Sequence, residues 1–281
     1  MILITGATGN IGRNVLSELV GTGTAVRALS RDPGRLHDLP NGVQTVRADL
    51  SHPSTLPAAL EGVDAVFLYA VPGSAPAFLD AAAERGVQRV VFLSSSAVRD
   101  DVEQQTNAIA AFHADIEHAI EKSGLDWTFL RPSALAANAL QWAQQIRTGD
   151  VVYGPYAGAH AAPVHEKDVA AVAARALTTP DYVHSTLALT GPQSLTQAEQ
   201  VSIIGDVVGG ELHFQEVPPE SAREQMIQFL PEPVADALLA SWAATVGGPA
   251  AVEPTVERIT GRPPRSFRDW VADHAGAFTA A

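Results

Sequence analysis

Residues 1–12 read MILITGATGNIG, and this stretch decides the fold. Met1 to Thr5 is apolar enough for a short buried strand. Behind the glycines, Ile11, Val15, Leu16 and Leu19 recur at the spacing of one helix face, and the pattern stops near Gly21 and Gly23. A strand, a glycine turn and a helix in that order is the context a phosphate-binding turn needs. Gly6 would allow the tight turn, Gly9 the approach of a pyrophosphate to the backbone, and Gly12 the close packing of helix on sheet. Thr8, Asn10 and Ile11 stand at the helix N-terminus, where N–H groups and the helix dipole favour an anion. The spacing is G-x-x-G-x-x-G rather than the better-known G-x-G-x-x-G, so an ordinary glycine-rich turn is the competing interpretation.

Working outward, apolar β-rich runs at 2–5, 25–29, 43–47, 65–69, 90–93 and 127–130 alternate with helical patterns at 11–19, 55–60, 75–85 and 108–122. Such alternation predicts an α/β fold, a doubly wound parallel sheet covered on both faces, with its ligand at the carboxyl ends of the strands. Past Arg131 the pattern loosens, with glycines and prolines clustered at 154–163. A helix over 167–177, a strand over 186–189, a helix over 196–208 and short proline-bounded helices follow. The expected organisation is a dinucleotide-binding core over 1–150. A smaller, mostly helical substrate-binding part over 151–281 is interleaved with it.

The 281 residues, 46% hydrophobic, suffice for a large core. The chain has no cysteine, which excludes disulfides, zinc–thiolate sites and a thiol nucleophile. A net charge of −13 argues against nucleic acid as a partner. No apolar run approaches membrane-spanning length, and with a strand starting at Met1 the expected location is the cytoplasm.

The strand ends carry the polar residues. After the second run come Ser30 and Arg31, with Arg35 further on, where NAD-preferring folds place an acidic ribose ligand. An arginine suits a 2′-phosphate, so NADP(H) is expected ahead of NAD(H), Asp32 being the rival ribose ligand. Asp49 and Leu50 stand where adenine would lie, although Asp49 or Ser51 could instead cap the next helix. Ala70, Val71 and Pro72 fall beside the middle of the cofactor. Ser94, Ser95 and Ser96 lack the flanking glycines of a hydrolase elbow and suit hydrogen bonds to a carbonyl or a ribose, or a self-bonded serine turn. His160, His165, Glu166 and Asp168 lack helical metal-ligand spacing, so no metal is expected, and Asp168 reads as a helix cap.

Taken together, TGATGNIG (5–12), ADL (48–50), FLSSSAV (92–98), SGLDWTFLRPSALAANAL (123–140), PVHEKDVAAVAARAL (163–177), LTGPQSLT (189–196) and GRPPRSFRDW (261–270) resemble the NmrA-like branch of the atypical short-chain dehydrogenases. The resemblance implies a Rossmann-like sheet and NADPH-dependent reduction of quinones or related electrophiles. It also admits regulatory proteins that bind the dinucleotide without turnover. In the wider superfamily a Tyr-x-x-x-Lys pair supplies the acid and the ribose ligand. Here those positions fall on Ile109 and His113. Isoleucine cannot donate a proton, so His113 is the candidate for ribose binding and proton transfer, unless it is a buried structural histidine. The resemblance makes Ser96 the carbonyl-orienting serine and places Pro132 beside the cofactor. Glu117, one turn after His113, would orient it or face solvent. The expected activity is thus reduction of a small quinone, enone or related carbonyl compound, with a homodimer left open. An NADP(H) sensor or an isomerase holding a dinucleotide are the alternatives.

Overall fold

The glycine turn joins β1 (Ile2–Ile4) to α1 (Asn10–Gly21), which buries Ile11, Val15, Leu16 and Leu19 as their spacing demands. Alternation continues through β2 (Val26–Ser30), β3 (Gln44–Arg47), the single turn α2 (Leu56–Ala59) and β4 (Ala65–Leu68). It runs on through α3 (Ala75–Glu84), β5 (Arg89–Leu93), α4 (Ala108–Lys122) and β6 (Asp126–Pro132). The chain then forms α5 (Ala143–Thr148), β7 (Val151–Gly154), β8 (His160–Ala161), α6 (Glu166–Thr178) and β9 (Ser185–Leu189). This computed structural model describes residues 1–36, 39–69 and 71–279, with the side chain of Arg35 outside that description.

Seven strands form one parallel sheet in the order β3-β2-β1-β4-β5-β6-β9. The chain runs outward from β1 to β3 and then returns to β4 on the other side of β1. That reversal opens a crevice at the carboxyl ends of β1 and β4, the place where such sheets take ligands. On one face, Val15 and Leu16 of α1 meet Val169 and Val172 of α6. On the other, Leu56, Phe78, Ile116 and Ile120 from α2, α3 and α4 cover the sheet. Residues past 150 therefore return to the sheet through α6 and β9.

The remaining chain forms β10 (Leu195–Thr196), α7 (Gln197–Val208), β11 (His213–Glu216), α8 (Pro219–Met226), α9 (Glu232–Ala244), α10 (Thr255–Thr260) and α11 (Phe267–Asp273). A separate apolar cluster holds this part together, with Trp142, Val201, Ile204, Phe267 and Trp270 buried in it. β11 pairs with β7 and β10 with β8. These strands, of two to four residues, lie among glycines, prolines and polar residues without the flanking helical patterns that mark β1 and β4, so the sequence pattern passes over them. It also passes over the 3₁₀ stretch Ala136–Trp142 ahead of α5. The helix expected over 55–60 begins as a 3₁₀ turn, Pro53–Thr55. Asp168 is not the cap of α6. His165 occupies that place, its Nδ1 accepting from the Lys167 N–H, while Asp168 sits in the first turn. Among the described residues no helix is long and apolar enough to cross a membrane.

Candidate functional site

A cavity of about 830 Å³ lies over the carboxyl ends of the central strands. Gly6, Thr8, Gly9, Asn10, Ile11 and Gly12 form one wall, Ser30 and Arg31 follow β2, Asp49 and Leu50 follow β3, and Val71 follows β4.

The three glycines divide the work by geometry. Gly6 has φ +62°, a left-handed backbone that suits glycine. A Cβ on Gly12 would stand 2.3 Å from the Gly6 carbonyl oxygen, so only glycine lets α1 pack against the turn. A Cβ on Gly9 would come within 3.3 Å of that oxygen, a tight contact that a shift of a few tenths of an ångström would relieve, and Gly9 itself lines the cavity. Gly9 is also the N-cap of α1, and no side chain caps the helix. The first intrahelical bond runs from Arg13 N–H to Gly9, which leaves the N–H groups of Asn10, Ile11 and Gly12 ahead of it. An uncapped helix start with no acidic residue in its first turn fits a pyrophosphate.

Around β2 the rivals separate. Asp32 accepts the Gly34 N–H through Oδ1 (3.0 Å) and so caps the 3₁₀ turn Pro33–Arg35. Ser30 Oγ both donates to and accepts from the Asp32 backbone. Arg31 is exposed at the cavity edge and has no ion pair among the described residues, leaving its guanidinium for an anionic ligand. Asp49 accepts from Ser51 N–H at 2.9 Å and faces His52 Nδ1 at 3.2 Å. The Ser51 bond first, then His52 and Arg31, hold its carboxyl below the ordinary value. It therefore stays an acceptor, as an adenine amino group requires.

The other side of the sheet differs from the expectation. Ser94 is buried and donates its hydroxyl to Glu117 Oε1, so it does not face a ligand. Glu117 neither orients His113 nor faces solvent. It is buried and accepts from Arg131 Nε at 2.9 Å and Nη2 at 2.6 Å. Arg131 in turn grips both oxygens of Asp100, at 2.9 and 2.7 Å. Ser95 closes a local turn by accepting from Ala97 N–H, and Ser96 is exposed.

His113 is half-buried against Phe92 and Phe112, with Nδ1 2.8 Å from the Ile109 carbonyl oxygen. That bond requires the proton on Nδ1 and leaves Nε2 as the acceptor. Burial pushes His113 below its ordinary 6.5, against the raising pull of Ile109 and Glu117. Among the described residues, Pro72, Ser94, Ser96, His113 and Pro132 lie outside the cavity lining. Ala70 lies outside the described residues.

Among the lining residues not singled out as ligand contacts in the sequence are Leu29, Tyr69, Leu135, Ala137 and Glu166. Tyr69 is 55% exposed at the end of β4, a large side chain at a place that favours small ones. Leu135 and Ala137 follow β6, and Leu135 is bridged to Val164 just ahead of α6. Glu166 is buried, accepting from Trp270 Nε1 at 2.8 Å and contacting His274 Nε2 at 2.9 Å. Its neighbours take protein partners, His165 and Lys167 with Asp273 and Asp168 with Arg265.

Comparison with known proteins agrees with this geometry. A family profile described as NAD(P)H-binding matches residues 6–180. The chain is 41% identical over 283 residues to a (4-alkanoyl-5-oxo-2,5-dihydrofuran-3-yl)methyl phosphate reductase of Streptomyces griseus, covering 99% of both chains. It is 35% identical to an NAD(P)H azoreductase of Xenophilus azovorans, covering 100% of both. Its fold matches that of the NADPH-dependent quinone oxidoreductase QOR2 of Escherichia coli with a TM-score of 0.81 at 24% identity, over 98% of this chain and 99% of that one.

Proposed function

The chain belongs to the NAD(P)H-binding family, and we propose that it is an NADPH-dependent reductase of small molecules with a polarised π bond, such as an enone or a quinone. The observation that carries this is the cavity, with an uncapped helix start and Gly9 on its wall and an arginine without an ion pair among the described residues at its edge. The bound dinucleotide supplies the hydride. The turn Gly6–Gly12 would hold the pyrophosphate, Arg31 the 2′-phosphate, and Asp49 with Leu50 the adenine. His113 would take a ribose hydroxyl through Nε2, and Ser96 would orient the acceptor's carbonyl.

The relatives support the acceptor class. The name of the Streptomyces griseus enzyme describes a ring double bond flanked by a lactone and an alkanoyl carbonyl, and the second relative is named for azo compounds. Addition to such a bond leaves an anion spread over the conjugated system, which water can protonate. A site with Ile109 in place of a phenol suits that chemistry better than reduction of an isolated ketone, where a strong acid is required. The acidic surface supports a small-molecule partner rather than nucleic acid, and a cytoplasmic location fits the same reading.

The test is NADPH consumption with a panel of quinones, enones and azo compounds. Sustained oxidation with conjugated acceptors and little with simple ketones is expected. Tight NADPH binding with no oxidation by any acceptor would instead favour a dinucleotide sensor.

A further inference from the structure

We propose that Glu166 is a binding residue for the nicotinamide end of the dinucleotide, accepting hydrogen bonds from the ribose hydroxyls or the carboxamide NH₂. The proposal rests on the dinucleotide reading of the cavity. Arg31 and Asp49 follow β2 and β3, on one side of β1. Glu166 opens α6 beside the segment that follows β6, on the other side of β1. The residues that suit adenine therefore lie at one end of the cavity and Glu166 at the other, with the glycine turn between them.

The chemistry of the side chain narrows what it can hold. A carboxylate only accepts, and so do phosphate oxygens, so Glu166 repels the pyrophosphate and selects donors. At the nicotinamide end of a dinucleotide the donors are the hydroxyls and the carboxamide. Trp270 donates to Oε2, His274 Nε2 stands 2.9 Å from Oε1, and His165 Nδ1, already accepting from the Lys167 N–H, lies 3.5 Å from Oε2; a carboxylate offers about four lone-pair sites, so capacity remains toward the cavity. The same partners fix its direction. Trp270 is fully buried and stacked between Phe267 and His274, so the indole N–H that aims Glu166 cannot swing away. The surrounding charges engage one another, Lys167 and His165 with Asp273, Arg265 with Asp168. Glu166 is the member of this cluster that reaches the cavity.

The experiment compares NADPH with 2′,5′-ADP, which carries only the adenine half, in the original protein, Glu166→Gln and Trp270→Phe. Affinities come from calorimetry, and emission of the bound dihydronicotinamide reports its surroundings. Glu166→Gln should weaken NADPH about tenfold or more, the usual loss for a hydrogen bond to a charged group, and shift the emission while leaving 2′,5′-ADP unchanged. Trp270→Phe keeps the carboxylate but removes the donor that aims it, and should give a smaller loss of the same pattern. NADPH affinity and emission unchanged in both folded variants would overturn the proposal, as would equal losses for the two ligands. If the original protein binds neither ligand, the dinucleotide reading itself fails.

Discussion

The two sides of the cavity are built by different means. On the β1–β3 side the polar contacts of the residues placed against the dinucleotide are local: Gly9 to Gly6, Ser30 to Asp32, Asp32 to Gly34, Asp49 to Ser51. On the β5–β6 and α6 side they join distant segments, Ser94 to Glu117, Glu117 to Arg131, Arg131 to Asp100, Glu166 to Trp270. The first side holds its groups in short turns that line the cavity. The second buries charges inside the fold, where each needs its partner. Substitutions on the first side should therefore change binding first, and those on the second should change stability first.

The largest effect belongs to Arg131. Burial acts to lower its pKa, but the bonds to Glu117 and Asp100 outweigh it and raise the value, so the guanidinium is always charged. Arg131→Met would leave the Ser94 hydroxyl as the one hydrogen-bond donor to the buried Glu117 among the described residues. Removing one partner of a buried pair costs about 3–5 kcal/mol, which urea unfolding would read as a lower midpoint at similar slope. Asp100→Asn should cost about 1 kcal/mol or less, because that carboxylate is mostly exposed. A loss at Asp100 equal to that at Arg131 would break the distinction between the two ends of this network.

On the other side, Gly9→Val should remove dinucleotide binding and lower stability by only about 1 kcal/mol, the cost of a crowded β-branched residue at the N-cap of α1. The added side chain enters ligand space, and losing two charge-assisted bonds to phosphate corresponds to about a hundredfold or more in affinity. Unchanged NADPH affinity in a folded Gly9→Val protein would mean that the turn is only a turn. Arg31→Ala comes next, with about 1.5–3 kcal/mol lost for NADPH and little for NADH. Equal affinities for the two dinucleotides in the original protein would remove the case for a 2′-phosphate site.

How far the sequence could be read follows the same division. The sheet, α1, α3 and α4 were legible because helical spacing and apolar runs are local signals, and so was the glycine turn. Ser94 was misassigned because a serine at a strand's carboxyl end looks the same whether it meets a ligand or a buried glutamate 23 residues away. Glu117 and Glu166 were misjudged or missed for one reason. A buried glutamate is rare, and what makes it tolerable here, Arg131 or Trp270, arrives from a distant segment. Asp168 resembled a cap because His165, an unusual capping residue, precedes it.

His165 also sets a smaller, pH-dependent effect. Burial, against the pull of Glu166 and Asp168, pushes its pKa below the ordinary 6.5. The folded state then holds fewer protons than the unfolded chain as the pH falls through 6.5, so stability declines over that window. Protonation also converts Nδ1, the acceptor that caps α6, into a donor. His165→Asn keeps a capping oxygen and does not titrate, so melting temperatures from pH 8 to 5.5 should show a shallower acid slope. The variant's stability at pH 8 should stay within about 1 kcal/mol of the original. His113, displaced in the same direction, accounts for part of the slope that remains. An unchanged slope in His165→Asn would show that the cap does not titrate here.

The smallest effect is expected at His113, where the sequence had placed the most chemistry. Its Nδ1–H is held by the Ile109 carbonyl and its pKa is lowered by burial, so at neutral pH Nε2 carries no proton to give. The ring can accept a ribose hydroxyl, and its loss should weaken NADPH modestly. A general acid contributes about 10²–10⁴-fold, whereas His113→Ala should lower the rate with an enone by about tenfold or less. The rate of the original protein should then be flat from pH 7 to 9, with no step from a histidine losing its proton. Steady-state rates of both proteins across that range decide the matter. A hundredfold loss in the variant, together with a falling rate above pH 7 in the original, would restore His113 as the proton donor. It would also mean that binding the dinucleotide raises the pKa that burial lowers. The predicted small loss would leave water as the donor and account for a site that functions with isoleucine where a phenol would stand.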